Sequence, residues 1–180
     1  MRSNTTQLFV LSALMCALCC VLSQVQLPLP PVPVSLSLLA VHLCGVLLPP
    51  RYSAAALLAY LLLGAAGLPV FAGFLSGPSA LFGPTGGYLF GYILCAATEG
   101  FLLDRLSFTR RSLFLAAALG TLACYVPGTI WFMALTGTPL WSALASCVLV
   151  FIPGDILKIL LAVSLSMRLH KALGSSVLCS

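Results

Sequence analysis

Asp155 and Lys158 carry opposite charges inside an otherwise apolar stretch of the sequence. Spaced i and i+3, they share one helix face. A carboxylate accepts hydrogen bonds and an ammonium donates them, so the pair can serve a ligand that carries both kinds of group. The same pair can also neutralise itself as a structural ion pair. The stretch Phe151-Ile-Pro-Gly-Asp-Ile156 repeats the pattern of Tyr125-Val-Pro-Gly-Thr-Ile130, and each Pro-Gly lies about nine to twelve residues from the intervening segment 137–141. This spacing predicts two helix interruptions at similar depth. Such interruptions either free backbone groups for a ligand or shape helix packing. Pro84-Thr85-Gly86-Gly87-Tyr88 opens another apolar run, where unpaired N–H groups and the positive end of the helix dipole favour an acceptor or anion. Gly83, Gly87 and Gly91 recur every fourth position and line one face, allowing a neighbouring backbone to approach closely.

No catalytic motif emerges from the sequence. His42 and His170 are each followed by Leu, so no H-E-x-x-H occurs, and G-x-S-x-G is also missing. Lys158 and Lys171 precede Ile and Ala, which excludes a P-loop ending in Lys-Ser or Lys-Thr. His42 reads as a packed or hydrogen-bonded helix histidine. Glu99, one turn from Asp104, reads as a side chain reaching headgroups or an arginine. Cys16, Cys19, Cys20, Cys44, Cys95, Cys124 and Cys147 lie in apolar runs and read as small hydrophobes. The Cys16/Cys19 pair lacks the second pair or nearby His of a zinc site. No metal or cofactor is expected.

The elements that position these residues follow from composition. Of 180 residues, 61% are hydrophobic and 6% charged, with a mean hydropathy of +1.16. Soluble domains carry about 25% charged residues, so the chain is an integral membrane protein, too short for a separate soluble domain. The formal charge of +5 comes from scattered residues, which fits loop charges and not a nucleic-acid patch. The N-terminal apolar stretch mimics a signal peptide but lacks an A-x-A-like site, and reads as a retained first helix.

Apolar runs predict six crossings, at about 5–23, 35–49, 54–68, 84–103, 112–136 and 142–167, as one all-α transmembrane domain over 1–180. Pro49-Pro50-Arg51 marks a tight turn between the second and third. All eight Lys and Arg residues except Lys158 then fall on one side, and segments 24–34, 69–83 and 137–141 opposite carry no charge. That asymmetry places both termini in the cytoplasm. Proline-rich 24–34 predicts an extended path, either a stiff connector or a lid. Uncharged 69–83 predicts a loop folding back into the outer mouth. Asp155 lies on the order of 20 Å from a helix end near Trp141, within a core about 30 Å thick. A charge near the centre costs roughly 2.5–3.5 kcal/mol, so such groups usually face the bundle interior and serve function.

Gly83-Pro-Thr-Gly-Gly-Tyr-Leu-Phe-Gly91, Gly67-Leu-Pro-Val-Phe-Ala-Gly73, Pro153-Gly-Asp-Ile-Leu-Lys158 and Val32-Pro-Val-Ser35 occur in that combination and spacing. Together they resemble the BioY family, the membrane-embedded biotin-binding S components of energy-coupling-factor (ECF) transporters. The resemblance spans nearly the whole chain. It implies a six-helix subunit of the bacterial cytoplasmic membrane that binds biotin from the outer face. Its implied partners are a transmembrane coupling protein (T component) and two cytoplasmic ATPases. It further implies that Asp155 and Lys158 contact the biotin head, that Thr85, Gly86, Gly87 and Tyr88 line the same pocket, and that Phe71 and Gly73 lie in its capping loop. Ala13 and Ala17 match a small-residue docking face for the coupling protein, or a generic packing face. Chemically, the carboxylate takes the two ureido N–H groups and the ammonium donates to the ureido carbonyl. Tyr88, Tyr125, Phe71 and residues 24–34 are then expected to enclose the apolar rings and chain. Rival readings are an S component for thiamine or riboflavin, an intramembrane lipid-modifying enzyme acting through Asp155, or an accessory subunit without a ligand.

Overall fold

A computed structural model describes residues 2–27 and 34–173 of the chain. Its elements in order are α1 (Arg2–Leu22), β1 (Gln26–Leu27), β2 (Val34–Ser35), α2 (Ser37–Leu47), α3 (Pro50–Ala65), α4 (Pro78–Leu81), α5 (Gly86–Leu103), α6 (Arg110–Thr136), α7 (Leu140–Leu144) and α8 (Ile152–Leu173). A π-helical turn, Ala145–Leu149, joins α7 to α8. Among the described residues, four helical stretches are long and apolar enough to cross a membrane: Thr5–Leu22, Gly86–Leu103, Arg110–Thr136 and Leu140–Lys171. The two shorter helices, α2 with 11 residues and α3 with 16, span about 16 and 24 Å at 1.5 Å per residue. The protein is an all-α, multi-pass membrane protein. Leucines standing outward, such as Leu14, Leu122 and Leu157, give the helices an apolar face suited to acyl chains.

Helix α2 is the hub. Every residue from Ser37 to Leu47 is buried, and α1, α3, α5, α6 and α8 all pack against it. The most extensive pairing is α5 on α6, and its cause is the glycine face. A Cβ on Gly91 would meet the carbonyl oxygen of Cys124 at 2.8 Å, and one on Gly87 would meet Trp131 Cβ at 2.3 Å. Absent side chains thus set the distance between the two helices.

Several expectations need revision. Residues 26–27 and 34–35 do not run as an extended connector; they pair antiparallel, Gln26 with Ser35 and Leu27 with Val34. The proline-rich stretch between them, residues 28–33, lies outside the described residues, so the lid or connector reading falls there. Backbone pairing with a segment eight positions on overrides the local polyproline preference at its ends. Helix α6 continues through Pro127 without a break. Proline costs one ladder bond, and neighbouring helices allow the backbone to continue within a membrane. In the last stretch the irregularity precedes Pro153, in the π turn, and Pro153 sits in the first turn of α8, where a missing N–H costs nothing.

Glu99 does not reach headgroups or an arginine. It is fully buried, with Oε1 at 2.5 Å from His42 Nδ1 on α2. Gly45 and Gly120 leave the room it occupies, since a Cβ on either would meet a Glu99 carboxylate oxygen at 2.6 Å. His42 is a hydrogen-bonded helix histidine, as its apolar surroundings suggest.

Segment 69–83 folds back over one end of the bundle. Phe71 is buried against the Tyr60 ring (centroids 5.5 Å, edge-on) and over Gly64, where a Cβ would fall 2.0 Å from its ring. Gln24 at the end of α1 fastens this segment: Nε2 donates to Pro69 O (3.0 Å) and Phe71 O (3.2 Å), and Oε1 accepts from Phe74 N (3.0 Å). Ser23 Oγ and Tyr60 Oη both donate to Val70 O.

Candidate functional site

Asp155 and Lys158 are about 4% and 5% exposed and line a cavity of about 60 Å³ between α2, α5, α6 and α8. Lys158 Nζ donates to Asp155 Oδ1 at 2.8 Å, and Tyr125 Oη donates to Oδ2. Three elements place these groups. The i,i+3 spacing on α8 aligns the ion pair, α6 carries Tyr125, and the π turn Ala145–Leu149 leads directly into α8.

Tyr88, Tyr92, Tyr125 and Phe151 give the cavity aromatic walls, completed by Leu38, Cys124 and Cys147. The Tyr88 and Tyr125 rings stand edge-on with centroids 6.5 Å apart. Tyr88 fits because Gly128 lacks a side chain, a Cβ there falling 2.3 Å from the ring. Its hydroxyl lies 3.1 Å from Thr129 Oγ1. A hydroxyl chain closes the α2 side, with Ser35 Oγ to Ser37 Oγ at 2.6 Å and Ser37 Oγ to Tyr92 Oη at 2.6 Å.

A second cavity of about 90 Å³ adjoins the first, sharing Ser35, Tyr88 and Tyr92. Phe71, Ala72, Leu75 and Ala80 of the folded-back segment, Thr85 just before α5 and Leu89 on α5 form its remaining wall. Thr85 stands at the start of α5 without capping it through its side chain.

Six of the residues singled out in the sequence therefore meet around one bipartite cavity: Asp155, Lys158, Tyr125, Tyr88, Thr85 and Phe71. Three others sit behind it. Gly86 packs under Leu81 O, Gly87 against Trp131, and Gly73 (φ 73°) against the Gln26 side chain, so none contributes to the walls. Trp131 Nε1 donates to Gly83 O at 3.0 Å and ties the turn before α5 to α6. Ala13 and Ala17 are remote from the cavity. They line an apolar groove of about 700 Å³ between α1 and α3, with Ala55 and Ala59 across it.

Sequence reasoning missed Tyr92, although a Tyr one turn after Tyr88 carries the signal. It read Cys124 and Cys147 only as small hydrophobes and gave no role to Leu38. The arrangement places one carboxylate, one ammonium and several hydroxyls at one end of an otherwise aromatic cleft. That pattern binds and orients a small polar-headed molecule.

Comparison with known proteins agrees on one group. The model of the BioY family matches residues 1–175. The chain is 34% identical over 173 residues to the biotin transporter BioY2 of Lactococcus lactis subsp. cremoris, covering 96% of this chain and 95% of that protein. It is 35% identical over 148 residues to the biotin transporter BioY of Thermotoga maritima, covering 82% and 86%. Its fold is similar to a solved S-component for biotin from an ECF-type ABC transporter, with a TM-score of 0.89, 31% identity and coverage of 95% and 94%.

Proposed function

The chain belongs to the BioY family, and from that premise we propose that it is the biotin-binding S component of an ECF-type transporter, taking up biotin across the cytoplasmic membrane. The observation that carries the proposal is the Asp155–Lys158 pair aimed into an aromatic cleft, an arrangement suited to a neutral ureido ring. The inner cavity takes the bicyclic head. Asp155, held by Tyr125 through Oδ2, accepts from the ureido N–H groups, and Lys158 faces the ureido oxygen. The valeryl chain passes Ser35, Tyr88 and Tyr92 into the outer cavity, where the Thr85 hydroxyl receives the carboxylate. Ligand sites for molecules of this kind occupy about 300–1,000 Å³. The cavities hold about 60 and 90 Å³, so uptake requires the shared tyrosines, or the segment carrying Phe71, to give way.

The remaining architecture follows the same reading. Six crossings within a single domain, with α2 and α3 as the two short ones, place every loop arginine and both termini on the cytoplasmic side. The Ala13/Ala17 face docks on a transmembrane coupling protein, and two cytoplasmic ATPases supply the hydrolysis for which this chain has no P-loop. The chain itself catalyses nothing and needs no cofactor for binding.

Thermal-shift measurements on purified protein with biotin, thiamine and riboflavin test the assignment. Biotin alone is expected to raise the midpoint, by mass action on the folded state. A shift with another vitamin and none with biotin would reassign the cleft.

A further inference from the structure

One to two turns below the cavity, on three helices, lies a second polar cluster that biotin binding does not use. Helix α2 passes from Leu38 to His42, α5 from Tyr92 to Cys95 and Glu99, and α6 from Tyr125 to Thr121. His42, Cys95 and Glu99 are fully buried and their donor atoms lie within 4.8 Å of one another. His42 Nδ1 is 2.5 Å and Cys95 Sγ 3.2 Å from Glu99 Oε1, with 3.9 Å between nitrogen and sulfur. The second oxygen of Glu99, Oε2, is buried without a hydrogen-bond partner.

We propose that His42, Cys95 and Glu99 form a binding site for one divalent transition-metal ion of zinc-like chemistry, separate from the biotin cavity. Imidazole, thiolate and carboxylate together are a zinc donor set, and the unpartnered Oε2 allows Glu99 to bind through both oxygens. Tetrahedral bonds of about 2.0–2.3 Å set donor–donor edges of about 3.3–3.6 Å. The triangle here averages close to that. Its one short edge, between nitrogen and oxygen, is a hydrogen bond, and the metal takes the place of the proton in it. Thr121 orients the imidazole from its far side: its Oγ1 donates to Ala117 O at 2.9 Å and stands 3.4 Å from His42 Nε2. It accepts from Nε2–H, which leaves Nδ1, turned toward Glu99 and Cys95, as the nitrogen that would bind the ion.

Charge balance supports occupancy within hydrocarbon. Metal binding releases two protons, one from Cys95 Sγ–H and one from the hydrogen bond between His42 and Glu99. A dication with one thiolate, one carboxylate and a neutral imidazole has the same net charge as the protonated cluster. The exchange therefore places no uncompensated charge in the membrane interior.

Because the site is sealed, the ion enters during folding. The full-length chain is produced in zinc-supplemented and in cobalt-supplemented medium and purified without chelator. The expected result is one metal per chain, with a thiolate-to-cobalt charge-transfer absorption in the cobalt form. Both are lost in Cys95→Ser and metal content falls at least tenfold in Glu99→Gln, while Cys19→Ser and Cys44→Ser retain both. Helix content by circular dichroism verifies that the variants fold. A parent chain isolated without metal, or a metal signal that persists in Cys95→Ser, overturns the site; neither result bears on biotin binding by the cleft above.

Discussion

Asp155→Asn is expected to weaken biotin binding by about 30- to 4,000-fold in purified protein while leaving helix content unchanged. The range follows from the roughly 2–5 kcal/mol lost when one member of a buried, hydrogen-bonded charge pair is truncated, at 1.4 kcal/mol per tenfold. Asn keeps the shape of Asp but removes the charge that draws Lys158 Nζ to 2.8 Å and accepts from Tyr125. It also turns an NH₂ group toward one of those partners, replacing an acceptor by a donor. Three donors then converge where biotin's ureido N–H groups require an acceptor. Equilibrium binding by titration calorimetry checks the outcome, and an affinity within threefold of the parent would remove Asp155 from the site.

Gly87→Ala is expected to lower both stability and affinity, although alanine is the better helix former by about 1 kcal/mol. The added Cβ meets Trp131 Cβ at 2.3 Å and Pro127 O at 3.0 Å. Those atoms belong to or adjoin the α6 backbone and cannot swing aside by rotamer change. The helices must part, and overpacking of this kind costs about 1–3 kcal/mol. Tyr88, the next residue, moves with α5 away from Thr129, so the cavity wall shifts as well. A thermal midpoint measured with and without biotin should fall in both conditions. A midpoint equal to the parent's would mean that the α5–α6 spacing is not set by this glycine.

What the sequence made legible was mostly local. Asp155 and Lys158 share a face because of spacing within one helix, and that face does line a cavity. Apolar run lengths located α1, α2, α3, α5, α6 and the α7–α8 stretch to within a few residues, because lipid exposure demands long uninterrupted apolar segments. Relations between distant segments were not legible. Glu99 and His42 lie 57 positions apart, and only the packing of α5 on α2 through Gly45 makes them partners. The pairing of residues 26–27 with 34–35 likewise depends on a return of the chain that local proline content argues against. Pro127 misled for a different reason. A proline is a reliable helix stop in water, but neighbouring helices can carry α6 through it. The glycine-rich start of α5 was informative in part: Thr85 and Tyr88 face the cavity, while Gly86 and Gly87 matter for the space they leave empty.

The most direct measurement exchanges the two charges, as Asp155→Lys with Lys158→Asp, and determines biotin affinity and uptake beside coupling subunits. Opposite charges at i and i+3 remain, so a role confined to mutual neutralisation survives the exchange. The account predicts a membrane-inserted, helical protein that neither binds nor imports biotin, because the carboxylate and ammonium now face the wrong groups of the ureido ring. Affinity and uptake equal to the parent's would contradict it, reducing Asp155 and Lys158 to an internal ion pair and moving the biotin site elsewhere in the bundle.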